Sequence, residues 1–106
     1  MHKTQDILSA NINNAAHMIK DNILSDSIWM ARGILAIYQQ QTLDEQNSET
    51  TKHDNGVGFG ATDAQILSSF AKQLQKGRSL SPKQTIIANK NMPKYCKQLA
   101  RIAKNY

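Results

Sequence analysis

Residues 81–104 read SPKQTIIANKNMPKYCKQLARIAK, and this stretch decides the fold class. At about 100° per residue, five of its apolar side chains share one side of a helix. These are Ala88, Met92, Tyr95, Leu99 and Ile102. The opposite side carries a row of cations, namely Lys83, Lys90, Lys94, Lys97, Arg101 and Lys104. The pattern predicts a helical segment with one face in a core and one cationic face in solvent.

The start of this segment has a strong helix signal. Ser81 is a good N-cap, Pro82 suits the first helical position, and Gln84 completes a capping box. Pro93 removes a backbone donor in the middle of the segment. Either it kinks one long helix, or it separates a helix at 82–91 from one at 94–104.

A second amphipathic helix precedes that segment. Thr62 and Gln65 have the spacing of a capping box, and Gly77 is placed to end the helix. Its predicted apolar stripe is Ile66, Leu67, Phe70 and Leu74. A short turn containing Arg78 joins the two helices, which gives a helix-turn-helix-like order. An ordinary antiparallel helix pair has the same sequence signature, so both alternatives stay open.

The N-terminal part of the chain predicts two more helices. Apolar residues recur at helical spacing over 8–24, at Leu8, Ile12, Ala15, Ala16, Ile19 and Ile23. The next helix is predicted over 27–46, with Ser25, Asp26 or Ser27 as its cap. Its expected core face is Ile28, Ala31, Leu35 and Tyr38, flanked by Ile34.

Residues 47–61 form the one long irregular segment. It contains the turn dipeptide Asn55-Gly56 and two further glycines, and we expect Phe59 to pack into the core. The 106 residues fit a single domain, 1–106, with this glycine-rich connecting loop. The predicted fold is all-α, a compact bundle of four or five helices with a helix-turn-helix-like C-terminal half.

Charge divides the chain into two unequal parts. Residues 1–63 carry four Lys/Arg and eight Asp/Glu, a net charge of −4. Residues 64–106 carry nine Lys/Arg and no Asp or Glu, a net charge of +9. A solvated helix face usually mixes both signs, because opposite charges one turn apart stabilise a helix. The acid-free segment therefore favours an anionic partner. Solubility alone, or docking against acidic protein surface, are the alternatives.

The cations suit a nucleic-acid backbone, which releases counterions when its phosphates are neutralised. The predicted contact residues are Arg78, Lys83, Gln84, Thr85, Lys90, Lys94, Lys97, Arg101 and Lys104. Gln84 and Thr85 are candidates for contact with base edges, because the first residues of a recognition helix enter the major groove. Base stacking by Tyr95 or Tyr106 is the weaker alternative to core packing of Tyr95.

Other chemistry has little support in the sequence. Gly56, Gly58 and Gly60 lack the spacing of a phosphate-binding motif, although their N–H groups could meet an anion. His17, His53 and Asp54 make no recognisable metal set, and the lone Cys96 has no partner for a disulfide or a metal motif. We expect no enzyme activity, no cofactor and no metal. No apolar run is long enough to span a membrane, so we expect a cytoplasmic protein.

Three stretches together resemble a known kind of module. They are residues 29–38 with Gln41-Thr42, residues 55–59 with Asp63, and residues 80–84 with 94–99. They are similar to a small uncharacterised helical module of phage and mobile-element proteins. A pattern similar to the second half also adjoins helicase-like regions in larger proteins. The resemblance implies a setting in DNA metabolism or in phage–host interaction.

The sequence therefore predicts a non-enzymatic nucleic-acid-binding module, with DNA favoured over RNA. The first two helices are also candidates for a surface that forms a homo-oligomer. The alternative is a small phage-type protein that binds and inhibits or modulates a host protein, such as a nuclease, a defence complex or a replication complex.

Overall fold

A computed structural model describes residues 1–48 and 58–104, with side chains described for 1–42 and 58–104. The described residues form six α-helices and one 3-10 turn, and no strand occurs among them. The helices are α1 (Thr4–Ser9), α2 (Ile12–Ser25), α3 (Ser27–Ser48), α4 (Ala64–Gln75), α5 (Pro82–Asn91) and α6 (Cys96–Lys104). The 3-10 turn, Met92–Tyr95, joins α5 to α6. The all-α prediction is confirmed, and five of these helices have nine residues or more.

The first predicted helix is in fact two helices, so the prediction of one helix over 8–24 is wrong. Asn11 caps α2, because its side chain accepts a hydrogen bond from the Asn14 N–H at 2.9 Å. The helix is interrupted at Ala10. The helical spacing of the apolar residues continues across Ala10, so the spacing gave no sign of this interruption. Ile7 of α1 is buried, whereas the predicted core residue Leu8 is exposed.

The core face of α3 also differs from the prediction. Met30, Ile34 and Ile37 are buried, whereas Ile28 is 60% exposed. Apolar residues surround most of the first half of α3, so their spacing did not define a single face. Asp26 is the residue that caps this helix, with its carboxylate accepting from the Ile28 N–H at 2.8 Å.

The predicted capping box at Thr62 and Gln65 is wrong. Helix α4 begins at Ala64, and its N-cap residue, Asp63, makes no side-chain cap hydrogen bond. The Asp63 carboxylate instead turns towards Tyr95, which is 32 positions later in the chain. Its partner could not be identified from local sequence spacing.

The predictions at the end of α4 and the start of α5 are confirmed. Gly77 adopts a φ of +83°, and the Gly77 and Arg78 N–H groups bond back to Leu74 and Gln73. This is the usual glycine ending of a helix. Ser81 and Gln84 form the predicted reciprocal capping box at Pro82. At Pro93 the chain follows the second alternative, with separate helices on either side of the 3-10 turn.

Helix α6 occupies the middle of the bundle. It packs mainly on α2 and also contacts α1 and α3, while α4 packs on α3. One buried cluster holds the helices together, and it includes Ile7, Ile19, Ile34, Phe70, Ala88, Met92 and Leu99. Phe59 joins this cluster, as the sequence predicted. The apolar residues of the 3-10 turn and α6 thus form part of the shared core, whereas α4 joins the bundle mainly through α3.

Candidate nucleic-acid interface

All seven predicted basic contact residues are exposed to solvent. They lie in the turn after α4, along α5, in the 3-10 turn and along α6, and are Arg78, Lys83, Lys90, Lys94, Lys97, Arg101 and Lys104. The structure therefore exposes cations on several consecutive elements. These cations differ in whether they already have a partner within the protein.

Helix α6 separates its two faces clearly. Cys96, Leu99 and Ala100 are buried, whereas Lys97 and Arg101 are exposed and stand one turn apart. Neither cation makes a hydrogen bond or ion pair with another described residue. The ion pairs within the described ranges are His2–Asp21 and Lys94–Asp63. Among the described residues, no carboxylate pairs with Lys97 or Arg101.

Lys94 is different, because its ammonium group is paired with the carboxylate of Asp63. The same ammonium lies 5.7 Å from the centre of the Tyr95 ring. Asp63 is buried, so the pair connects the start of α4 to the 3-10 turn. Binding of a phosphate by Lys94 would have to compete with this carboxylate.

Lys104 also has partners within the protein. Its ammonium group donates to the carbonyl of Leu8 at 3.0 Å and to the carbonyl of Ala10. A cation at the C-terminal end of a helix is stabilised by the free carbonyl groups there. Lys104 therefore ties α6 to the end of α1, a contact 94 to 96 positions apart in the chain that local spacing could not reveal.

The two candidate base-reading residues are turned towards the protein. The Gln84 side-chain oxygen accepts from the Ser81 N–H and from the Gln73 amide, each at 2.9 Å. The Gln84 amide nitrogen donates to the Gln73 side-chain oxygen, also at 2.9 Å. The Thr85 hydroxyl bonds the Ser81 carbonyl at 3.0 Å. The two bonds between Gln73 and Gln84 fix the end of α4 to the start of α5, and all four bonds occupy groups that were expected to read bases.

The order helix, turn, helix is present in α4 and α5. The two helices share few direct contacts, and the paired amides of Gln73 and Gln84 are the main described link between them. Helix α5 fully buries only Ala88. Lys83, Ile86 and Lys90 of α5 are exposed, and Ile86 was not among the contact residues predicted from the sequence.

A polar cluster that was not predicted from the sequence surrounds residues 58–60. The Gly58 N–H donates to Gln98 at 2.7 Å, and the Gln98 amide donates back to the Gly58 carbonyl at 3.2 Å. Gln41 accepts from the Phe59 N–H at 3.0 Å. These N–H groups are occupied by side chains, so this part of the loop does not offer them to an anion. Gly56 lies outside the described residues.

Tyr95 completes this polar cluster. Its hydroxyl accepts from the Gly60 N–H at 2.8 Å and donates to Asp63 at 2.7 Å. Its ring meets Phe59 edge to face, with centroids 5.6 Å apart. Tyr95 is thus a core residue and is not free to stack on bases, while Tyr106 lies outside the described residues. Residues from 29–42, 55–63 and 80–99 all contribute to this cluster, so these stretches have a structural role in the fold.

The electrostatics of the cluster favour ionised Asp63 and neutral Tyr95. Burial alone would raise the pKa of Asp63, but hydrogen bonds from Lys94 and Tyr95 outweigh it and hold the pKa below its usual value. Burial, together with the bond to Asp63, raises the pKa of Tyr95 to about 12. A buried carboxylate with two donors is stable in its charged form.

Cys96 is a packed core residue. It is buried, and burial raises the pKa of its thiol to about 11, although the charge of Lys20 opposes this. The basic neighbours in sequence therefore do not activate it, because the thiolate is the reactive form.

Two further features of the described residues concern the requirements of a metal site and of a membrane-spanning helix. No group of three or more His, Cys, Asp or Glu is arranged to hold a metal there, and His53 and Asp54 lie outside this part of the chain. No described helix has the length and apolar character needed to cross a membrane.

An open groove of about 420 Å³ lies between the N-terminal helices and the α4–α5 turn. The turn between α2 and α3 forms one wall, and the end of α4 and the start of α5 form the other. Leu24 and Ile28 line it and are 42% and 60% exposed. The groove lining is mainly apolar, with Asp26 and several hydroxyl side chains at its edges.

Comparisons of the chain with protein-family models, with curated proteins and with solved structures gave no match. The function must therefore be inferred from the residues of this chain and their geometry.

Proposed function

We propose that this chain is a non-enzymatic module that binds the phosphate backbone of nucleic acid, with DNA favoured over RNA. The observation that carries the proposal is the pair Lys97 and Arg101 on α6. Both are exposed opposite a buried face, and neither has a partner among the described residues. They belong to a 43-residue segment without a single acid, so no neighbouring carboxylate in the sequence offsets their charge.

Three more cations extend this surface. Arg78, Lys83 and Lys90 are exposed and have no hydrogen-bonding or ionic side-chain partner in the described ranges. We therefore assign backbone binding to five residues, Arg78, Lys83, Lys90, Lys97 and Arg101. Lys94 and Lys104 contribute mainly to the fold, because each already bonds to oxygen atoms of the protein.

The proposed biological setting is phage or mobile-element DNA metabolism. It rests on the sequence resemblance, to which the charge distribution adds physical support. A homo-oligomer formed through the N-terminal helices would bring two cationic surfaces onto one nucleic acid.

The test is a fluorescence-anisotropy titration of duplex DNA, single-stranded DNA and RNA across a salt series. Each neutralised duplex phosphate contributes about −0.9 to the slope of log K against log salt concentration. Five cations that meet three to five phosphates should give a slope of about −3 to −5. A chain that binds none of the three nucleic acids at low salt would refute the proposal.

A second candidate function is the binding of a host protein, which the exposed Leu24 and Ile28 in the groove favour. Large exposed apolar side chains grouped at a groove are a common feature of interaction sites. If this alternative holds, the chain binds one protein at fixed stoichiometry and shows no binding to DNA in the anisotropy titration. Substitution of both residues, Leu24→Asp and Ile28→Asp, should then abolish capture and leave the fold intact.

A further inference from the structure

The outer face of α5 carries an apolar side chain between cations. Ile86 is 67% exposed, at the centre of the face opposite the buried Ala88. Lys83 precedes it by three residues and Lys90 follows it by four, so both stand on the same face. All three side chains point away from the helix surface that packs in the core.

An isoleucine left this exposed forgoes most of the burial free energy available to its side chain. The flanking lysines indicate which kind of partner surface would bury the Ile86 side chain. Lysine is depleted at the centres of protein–protein interfaces, whereas it is common next to phosphate. The charge of this face therefore matches nucleic acid.

We infer that the outer face of α5 enters the major groove of duplex DNA, where Ile86 packs against the methyl groups of thymine. The inference rests on the proposed function and specifies which surface reads base identity. The thymine methyl is the apolar group that the major groove displays, and it is absent from uracil and cytosine.

The dimensions of α5 are compatible with this placement. Lys83 and Lys90 are seven residues apart, which is about 10 Å along a helix. The major groove is about 12 Å wide, so cations at the two ends of the face can reach phosphates while Ile86 meets the base edges. Gln84 and Thr85 face the protein, which leaves Ile86 as the nearest residue of this turn to the bases.

The experiment compares two A·T-rich duplexes of the same sequence, one with thymine and one with deoxyuridine. Wild-type protein, Ile86→Ala and the control Ile66→Ala are titrated against both by fluorescence anisotropy. Ile66 is 38% exposed and lies on α4, so its substitution removes similar atoms from another helix.

We expect wild type and Ile66→Ala to bind the thymine duplex about fourfold more tightly for each methyl group buried. Ile86→Ala should bind the two duplexes equally, with its loss confined to the thymine duplex. The inference is overturned if Ile86→Ala keeps the wild-type preference, or if wild type binds both duplexes equally.

These outcomes separate the two proposals. Equal, salt-sensitive binding of both duplexes by the wild type refutes the role of Ile86 and leaves backbone binding standing. Absence of binding to either duplex at low salt refutes both.

Discussion

Tyr95 is the residue on which most of the polar cluster depends. Its hydroxyl is the partner of both the Gly60 N–H and the Asp63 carboxylate. Sequence spacing placed Tyr95 on the apolar face correctly, but it gave no information on the hydroxyl. The two partners come from a loop and a helix start more than 30 positions away.

Tyr95→Phe should lower the free energy of unfolding by about 1–3 kcal/mol, because it removes the hydrogen bond to the buried Asp63 carboxylate and the one from the Gly60 N–H. Urea unfolding followed by circular dichroism measures the change. Tyr38→Phe is the matched control, because the Tyr38 hydroxyl has no partner among the described residues. Equal effects of the two substitutions would contradict the assigned role of the Tyr95 hydroxyl.

Asp63 should make stability depend on acidity. Its pKa is lowered in the folded state, so its contribution is fully present above the unfolded value of about 4 and is lost as pH falls through the folded value. We expect wild type to be more stable than Asp63→Asn at pH 7, with the difference shrinking below about pH 4.

Urea unfolding from about pH 2.5 to about pH 7 measures this difference in the free energy of unfolding. Asp6→Asn serves as control, because Asp6 is exposed and its carboxylate has no described partner. A difference between wild type and Asp63→Asn that stays constant over the range would show that the Asp63 charge does not stabilise the fold.

At the scale of elements, two glycines share a left-handed backbone but differ in their surroundings. Gly58 has a φ of +81° and Gly77 a φ of +83°. A Cβ at Gly58 would lie 2.7 Å from the Gln41 Cβ and 3.1 Å from its Cα, whereas nothing lies within 4 Å of a Cβ at Gly77. The first glycine permits close approach of the loop to α3, and the second only ends α4.

Gly77→Ala should therefore cost about 1–2 kcal/mol, the strain of a side chain at positive φ. Gly58→Ala should cost about 2–5 kcal/mol, because overpacking against α3 adds to that strain. Thermal and urea unfolding of the two variants gives the comparison. A Gly58→Ala protein as stable as Gly77→Ala would mean that Gln41 and the loop are not in close contact.

Local signals predicted the end of α4 and the start of α5, whereas long-range contacts explain the failure at the start of α4. The Ser81–Gln84 capping box and the Gly77 ending involve neighbours in sequence, so spacing alone identified them. Asp63 occupies the N-cap position of α4, but its carboxylate bonds to Tyr95 and Lys94 and makes no local cap. The core face of α3 was mistaken because its apolar residues point in several directions.

At the scale of the molecule, the exposure of the basic residues was predictable from the sequence, because charged side chains usually stay in solvent when a chain folds. Which cations are available was not predictable. Lys94 and Lys104 look like Lys97 in sequence, yet each bonds to an oxygen from a distant part of the chain. Charge reversal at Lys94 or Lys104 would therefore disturb the fold as well as the interface.

The measurement that tests the central claim most directly compares two double charge reversals in DNA binding. Lys97→Glu/Arg101→Glu alters the α6 pair, and Lys72→Glu/Lys76→Glu alters two exposed cations at the end of α4. Both change the net charge equally, so a general loss of positive charge affects them alike. Circular dichroism checks that each variant remains folded.

If α6 holds the phosphate backbone, the α6 variant loses at least about tenfold in affinity, and its salt slope becomes shallower by about 2. The α4 variant then keeps most of the wild-type affinity and slope. Wild-type binding by the folded α6 variant, or equal loss in both variants, would contradict the account.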